Sequence, residues 1–196
     1  MIRTAECVSP MHPDKMCDRI SDALLDLHLK QDPNSRCAIE TMGGLGEVYI
    51  TGEVSSIAIV TDEEITNIVH RITQDSNIKV TINLNQQSPE IAQGVDADNV
   101  SEQGDGDQGL MLGFACKETE ELMPLPIQIA QRLTEKLSRI RKDGTLPWLR
   151  PDGKSQVTVE YDGFKPLRVT KVVIATQHDD MLSDCLLYTS PSPRDS

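Results

Sequence analysis

Gln156-Val157-Thr158-Val159-Glu160-Tyr161-Asp162-Gly163 reads as a strand running into a turn. Val157, Val159 and Tyr161 share one side and Gln156, Thr158 and Glu160 the other, the period of two expected of a half-buried strand. Asp162-Gly163 is a hairpin turn signal, and Val169 to Thr176 supplies the returning strand. Working outward from this antiparallel pair, the other segments are of both kinds. A helix is expected from about Pro126 to Lys142, entered through Pro124 and Pro126 and ended near Gly144. Cys37 to Thr41 and Val48 to Ile57 flank Gly43-Gly44-Leu45-Gly46 as a second hairpin. Met16 to Lys30 carries Met16, Ile20, Ala23, Leu24 and Leu27 at steps of three and four, an amphipathic helix ended by Gln31-Asp32-Pro33-Asn34. Thr61-Asp62-Glu63-Glu64 is a capping box opening a helix with Ile65, Ile68, Val69 and Ile72 on one face, and Lys79 to Leu84 alternates as a strand. Helices and antiparallel strands mix without a βαβ rhythm, so the expected class is α+β.

The 196 residues suffice for one or two domains with a sizeable core. A net charge of −12 gives a surface that attracts neither nucleic acid nor an anionic membrane. The five cysteines are scattered with no Cys-x-x-Cys pair, the usage of reduced thiols. With no signal peptide before the first motif and no apolar run long enough for a membrane span, the expected location is cytoplasmic. From Gln86 to Gln103 the chain is polar and reads as a long mobile loop, a length that in compact domains goes with function or disorder.

Three short stretches carry chemistry. Gly104 to Gly109 matches G-x-G-x-x-G in form, but it follows polar residues rather than a strand, and Asp105 and Asp107 would repel a pyrophosphate. A dinucleotide-binding loop is therefore excluded in favour of a glycine-rich turn. His12-Pro13-Asp14-Lys15 can be a plain helix entry with Asp14 as a first-turn acid, or a site in which Asp14 binds Mg²⁺ and His12 meets developing negative charge. Asp152-Gly153-Lys154-Ser155 can be an ordinary turn, or can present Lys154 to phosphate. Glu40 and Glu53 are carboxylates in or beside strands, where they are uncommon, and hint at a cation or amine site.

These stretches, in this order, resemble the S-adenosylmethionine synthetase (methionine adenosyltransferase) family. The resemblance rests on Glu6-Cys7-Val8-Ser9, His12-Pro13-Asp14-Lys15 and Asp18-x-Ile20-Ser21-Asp22-Ala23. It continues through Ala38-Ile39-Glu40-Thr41, Gly52-Glu53, Gln87-Ser88-Pro89-Glu90-Ile91 and Gly106-Asp107-Gln108-Gly109, then Asp143 to Asp152, Lys154-Ser155-Gln156-Val157 and Thr176-Gln177-His178. It covers nearly all of residues 3–180. It implies formation of S-adenosylmethionine from ATP and L-methionine, with release of phosphate and diphosphate, by an enzyme using Mg²⁺ and K⁺. By resemblance His12, Lys154 and Asp107 would be catalytic, and His12, Asp152 and Lys154 would contact ATP. Glu53 and Gln87 would hold methionine, Asp14 would ligate Mg²⁺, and Glu40 would ligate K⁺. The full-length enzyme would be a homodimer or homotetramer. Pro10-Met11 stands where the family commonly has Glu-Gly, and Asp105 replaces a small residue.

The family's second half is absent, so this chain is expected to be an inactive fragment. The alternatives are a non-catalytic nucleotide- or metal-binding module, and a Mg²⁺-dependent phosphatase or kinase that no Walker or kinase motif supports. The expected units are 1–86 as an N-terminal α/β unit, 87–102 as a flexible active-site loop, and 103–184 as a truncated central unit. Residues 185–196 are expected to be non-native. Cys185 to Asp195 resembles, over eleven consecutive residues, one-frame translation of a transposase sequencing adapter.

Overall fold

The computed structural model describes residues 1–86 and 109–179. Its elements are β1 (Ile2–Val8), α1 (Pro13–Gln31), β2 (Arg36–Gly44), β3 (Glu47–Ser55), α2 (Asp62–Thr73), β4 (Lys79–Gln86), α3 (Leu125–Lys142), β5 (Leu149–Asp162) and β6 (Lys165–His178). The class is α+β, as the sequence indicates. Contacts divide the chain into two compact units, Met1–His12 with Phe114 onward, and Pro13–Gly113. A linear division at residue 86 differs from this one, because β1 leaves its sequence neighbours to pair with β5.

In the Pro13–Gly113 unit the sheet order is β2-β3-β4, with β2–β3 antiparallel and β3–β4 parallel. Alternation sends Val48 and Ile50 of β3 into the core. There they meet Ile20 and Leu24 of α1 and Ile65, Val69 and Ile72 of α2. Each such buried aliphatic side chain contributes about 1.5–3 kcal/mol of transfer free energy. The helix stripes follow the sequence pattern, except that Leu27 stays half-buried outside this cluster. His28 is also buried, its Nδ1 bonded to the Leu24 carbonyl at 2.8 Å. Around the start of α2 the capping box is complete: the Glu64 amide donates to Thr61 Oγ1 at 3.2 Å and the Thr61 amide to Glu64 Oε2 at 2.9 Å. The β2–β3 turn places Leu45 and Gly46 at φ 52° and 81°, the paired positive values of a two-residue hairpin turn. β3 stops at Ser55, short of the expected Ile57, because the Ile57 amide and the Ser56 hydroxyl turn aside to the Asp32 carboxylate at 3.0 and 3.1 Å.

In the other unit the sheet order is β1-β5-β6, antiparallel throughout. Val157, Val159 and Tyr161 face α3 and its buried Ala130, and the Ser155 hydroxyl donates to the Ala130 carbonyl at 2.7 Å. Two features depart from expectation. Ile2–Val8 is a strand, although its sequence shows no clean alternation. Asp152-Gly153-Lys154-Ser155 lies inside β5 and is not a turn, and β5–β6 pairing is interrupted between Leu149 and Gly153. Leu110 to Phe114 is exposed and without regular structure. The expected loop from residue 87, the Gly104–Gln108 stretch, and the tail from Cys185 lie outside the described residues.

Candidate functional site

Of the described residues singled out from sequence, Lys154, Glu40 and Glu53 lie on sheet faces turned away from the helices, and His12 and Asp14 stand at the entry to α1. On β5, Gly153, Ser155, Val157 and Val159 are buried beneath α3, so Lys154, Gln156 and Thr158 occupy the opposite face. Across the β1–β5 ladder Glu6 opposes Gln156 and Val8 opposes Lys154. Glu6 is thus the diagonal neighbour of Lys154, and the two form an ion pair at 3.0 Å. The Lys154 ammonium, through this hydrogen bond above all, holds the Glu6 carboxyl below the usual carboxylate range. Both side chains remain about half exposed, so an anion can compete for Lys154 without opening a core.

Asp152 precedes Gly153 in the irregular stretch of β5, and its carbonyl accepts a long bond from Thr176 Oγ1 at 3.4 Å. Ser9 meets the same stretch. Its amide donates to the Gly153 carbonyl at 2.7 Å, its hydroxyl donates to the Pro151 carbonyl at 2.9 Å, and the Gly153 amide donates to its Oγ at 3.0 Å. The Ser9 carbonyl accepts from the His12 amide at 3.1 Å, closing the turn that carries His12. His12, Asp152 and Lys154 therefore belong to one unit, and the end of β1 ties them to one another.

Asp14, Glu40 and Glu53 belong to the other unit. Asp14 is exposed in the first turn of α1, where a carboxylate suits the positive helix end. Ala38, Glu40 and Met42 of β2 alternate with the core-facing Ile39, and the register sets Glu40 opposite Thr51 and Ala38 opposite Glu53. Glu40 and Glu53 are accordingly diagonal neighbours on the face away from α1 and α2. Tyr49 and Asn83 share that face and bond at 3.3 Å. Gly52, between Thr51 and Glu53, has φ +141°, and a Cβ there would stand 1.9 Å from the Ala38 carbonyl oxygen. Among the described residues no three His, Cys, Asp or Glu side chains gather closely enough to enclose a metal ion. Gln87 and Asp107 lie outside the described residues.

Sequence reading missed Ser9 and Glu6 as parts of this arrangement. Their only signal was membership of the Glu6-Cys7-Val8-Ser9 stretch, since both act through partners on β5 far along the chain.

Two family models match in chain order. Residues 1–97 match the S-adenosylmethionine synthetase N-terminal domain and residues 102–189 its central domain. The chain belongs to the S-adenosylmethionine synthetase family. An S-adenosylmethionine synthase of Mycobacterium sp. (strain KMS) is 50% identical over 197 residues, covering 89% of this chain and 49% of the relative. The S-adenosylmethionine synthase of Nocardia farcinica is 49% identical, covering 89% and 48%, and that of Parafrankia sp. (strain EAN1pec) is 47% identical, covering 89% and 49%. The chain spans about half the length of these curated relatives. The central-domain match runs to residue 189, a few residues into the stretch that resembles an adapter.

Proposed function

We propose that residues 1–184 are the first half of a methionine adenosyltransferase, which joins ATP and L-methionine into S-adenosylmethionine and hydrolyses the released triphosphate to phosphate and diphosphate. The observation that carries this reading is the match of both domains, in order, at about half identity to synthases. The methionine sulfur attacks the ribose 5′ carbon while the C5′–O bond breaks, and the bonding pair leaves with the triphosphate. A thioether sulfur is already nucleophilic and carries no proton, so no general base is needed. What the protein must supply is alignment and stabilisation of the departing charge.

Lys154, on an open sheet face and paired with the half-exposed Glu6 carboxylate, offers its ammonium to phosphate oxygens. His12 and Asp152, tied to the same strand end, would contact ATP beside it, with Asp107 near the reacting groups. Glu53 would meet the methionine ammonium and Gln87 would help to hold that substrate. Mg²⁺ takes one or two carboxylates and completes its octahedron with waters and substrate phosphates, so the single exposed Asp14 fits as a ligand without a protein cage. Bound there it would neutralise triphosphate charge. Glu40 would ligate K⁺ from the open face of the other sheet. The enzyme would work in the cytoplasm as a homodimer or homotetramer.

Conversion of labelled methionine by the complete enzyme of which this chain is half is the test. Product should form with ATP, and Lys154→Ala should lower kcat/KM for ATP by about a hundred-fold. No product from the complete enzyme would sink the reading.

A further inference from the structure

Ser9 stands where the β1–β5 ladder ends and the chain turns toward His12. Regular antiparallel pairing would have Ser9 and Gly153 exchange two backbone hydrogen bonds. One is made, from the Ser9 amide to the Gly153 carbonyl at 2.7 Å. In place of the other, the Gly153 amide donates to Ser9 Oγ at 3.0 Å. The Ser9 carbonyl, released from the sheet, accepts from the His12 amide at 3.1 Å. The hydroxyl then spends its own proton on the Pro151 carbonyl at 2.9 Å. One donor and one acceptor on a single oxygen thus hold the peptide before Asp152 and the peptide after it.

On the other side β6 pairs with Gly153 and Lys154, but its register is interrupted between Leu149 and Gly153, and Thr176 Oγ1 adds a 3.4 Å contact to the Asp152 carbonyl. Water is not a ready substitute, because Ser9 is 2% exposed. A residue whose two flanking peptides are pinned has its Cα–Cβ direction fixed, and Asp152 is that residue.

We propose that Ser9 is a positioning residue: its hydroxyl sets the direction of Asp152 and, by freeing its own carbonyl for the His12 amide, couples that direction to His12. The role rests on the ATP-binding reading given above. It does not require Ser9 to touch substrate.

In the complete enzyme, Ser9→Ala and Ser9→Gly should lower kcat/KM for ATP by about 10- to 100-fold, the scale of a misaimed contact. KM for methionine should stay within about two-fold, and folding and oligomeric state should be kept. A purely structural bond would lower the Tm and leave the two substrates undivided. If Ser9 acts through Asp152, the losses from Ser9→Ala and Asp152→Asn should fail to multiply in the double variant. An unchanged kcat/KM for ATP, fully multiplicative losses, or failure of both Ser9 variants to fold would each overturn the proposal. Should the unsubstituted complete enzyme make no product, the catalytic reading fails separately. Amide exchange at Gly153 then decides for Ser9: faster in Ser9→Ala with Val157 unchanged supports the clamp, and no change at Gly153 overturns it.

Discussion

Gly52 shows how one backbone position can set a strand's geometry and a neighbour's place on it. At φ +141° an L side chain is strained, and a Cβ would meet the Ala38 carbonyl oxygen at 1.9 Å, well inside contact. The bare Cα lets β3 lie close to β2 where Glu53 opposes Ala38. Gly52→Ala should therefore cost about 3–5 kcal/mol, from positive-φ strain plus overlap with backbone that cannot rotate away. Denaturant unfolding of the complete enzyme reads this, and a loss under about 1 kcal/mol would show that the strand shifts freely. Asp32 acts by charge. Its carboxylate accepts from the Ile57 amide, then the Asn34 amide and the Ser56 hydroxyl, and these bonds hold its pKa below the ordinary value. A depressed folded pKa means that the unfolded chain binds its proton first. The stabilisation is complete above the ordinary aspartate value of about 3.9 and is lost as pH falls through the lower folded value. Tm against pH should thus fall less steeply on the acid side for Asp32→Asn, and coincident acid limbs would refute this.

At the scale of elements, what was legible depended on whether the signal was local. The capping box at Thr61–Glu64 and the stripes of α1 and α2 are written within one or two turns, and they stand where their residues place them. β1 was not legible, because Arg3, Ala5 and Cys7 face the helix while Ile2, Thr4 and Glu6 face away, so neither side is distinctly apolar. What makes it a strand is β5, more than a hundred residues later. Pro151-Asp152-Gly153 has turn composition yet stays in the strand because the Ser9 hydroxyl takes up bonds that a turn would have closed locally. The candidate site divides likewise. His12, Asp14 and Lys154 are candidates that a motif alone can nominate, whereas the Glu6–Lys154 pair needed the β1–β5 register.

The entry to α3 is also non-local. Glu118 accepts from the Leu125 amide at 3.0 Å and the Tyr161 hydroxyl at 2.5 Å, and Arg3 pairs with it at 3.4 Å while stacking over the Tyr161 ring. Burial pushes the Glu118 carboxyl upward, but these donors outweigh it and hold it below the usual range. Burial, with Glu118 beside it, pushes the Tyr161 phenol up to about 12. Glu118→Ala strands a buried hydroxyl and a helix-end amide together, and should cost about 1–3 kcal/mol. Tyr161→Phe leaves Glu118 its other donors and should cost less. Urea midpoints for the two variants check the order, and a larger loss for Tyr161→Phe would mean that packing, not the carboxylate, fixes this corner.

For the molecule as a whole, the decisive feature is what α3 leaves uncovered. It packs on β1 and β5, so the alternation that buries Val157 and Val159 finds no such cover, among the described residues, one strand further on. On β6, Val172 and Ile174 lie on the α3 side of the sheet and Val173 on the other, yet all three are 41–48% exposed, with Leu167 and Val169 exposed beside them. An apolar edge strand open on both faces is a template for pairing with another chain, and charge is what usually blunts such an edge. Here Arg168 and Lys171 are the charges available among the five apolar residues, and Arg168 is already committed to Glu160 at 2.7 Å. The 196-residue chain should therefore self-associate as its concentration rises, despite a net charge of −12 that opposes it. Light scattering across a concentration series should show mass above 21.7 kDa. Val173→Lys, which sets a charge on the open face without touching the α3 core, should return the chain toward monomer. Persistent association in that variant would place the contact elsewhere, and a monomer at all concentrations without it would show that the uncovered strand is tolerated.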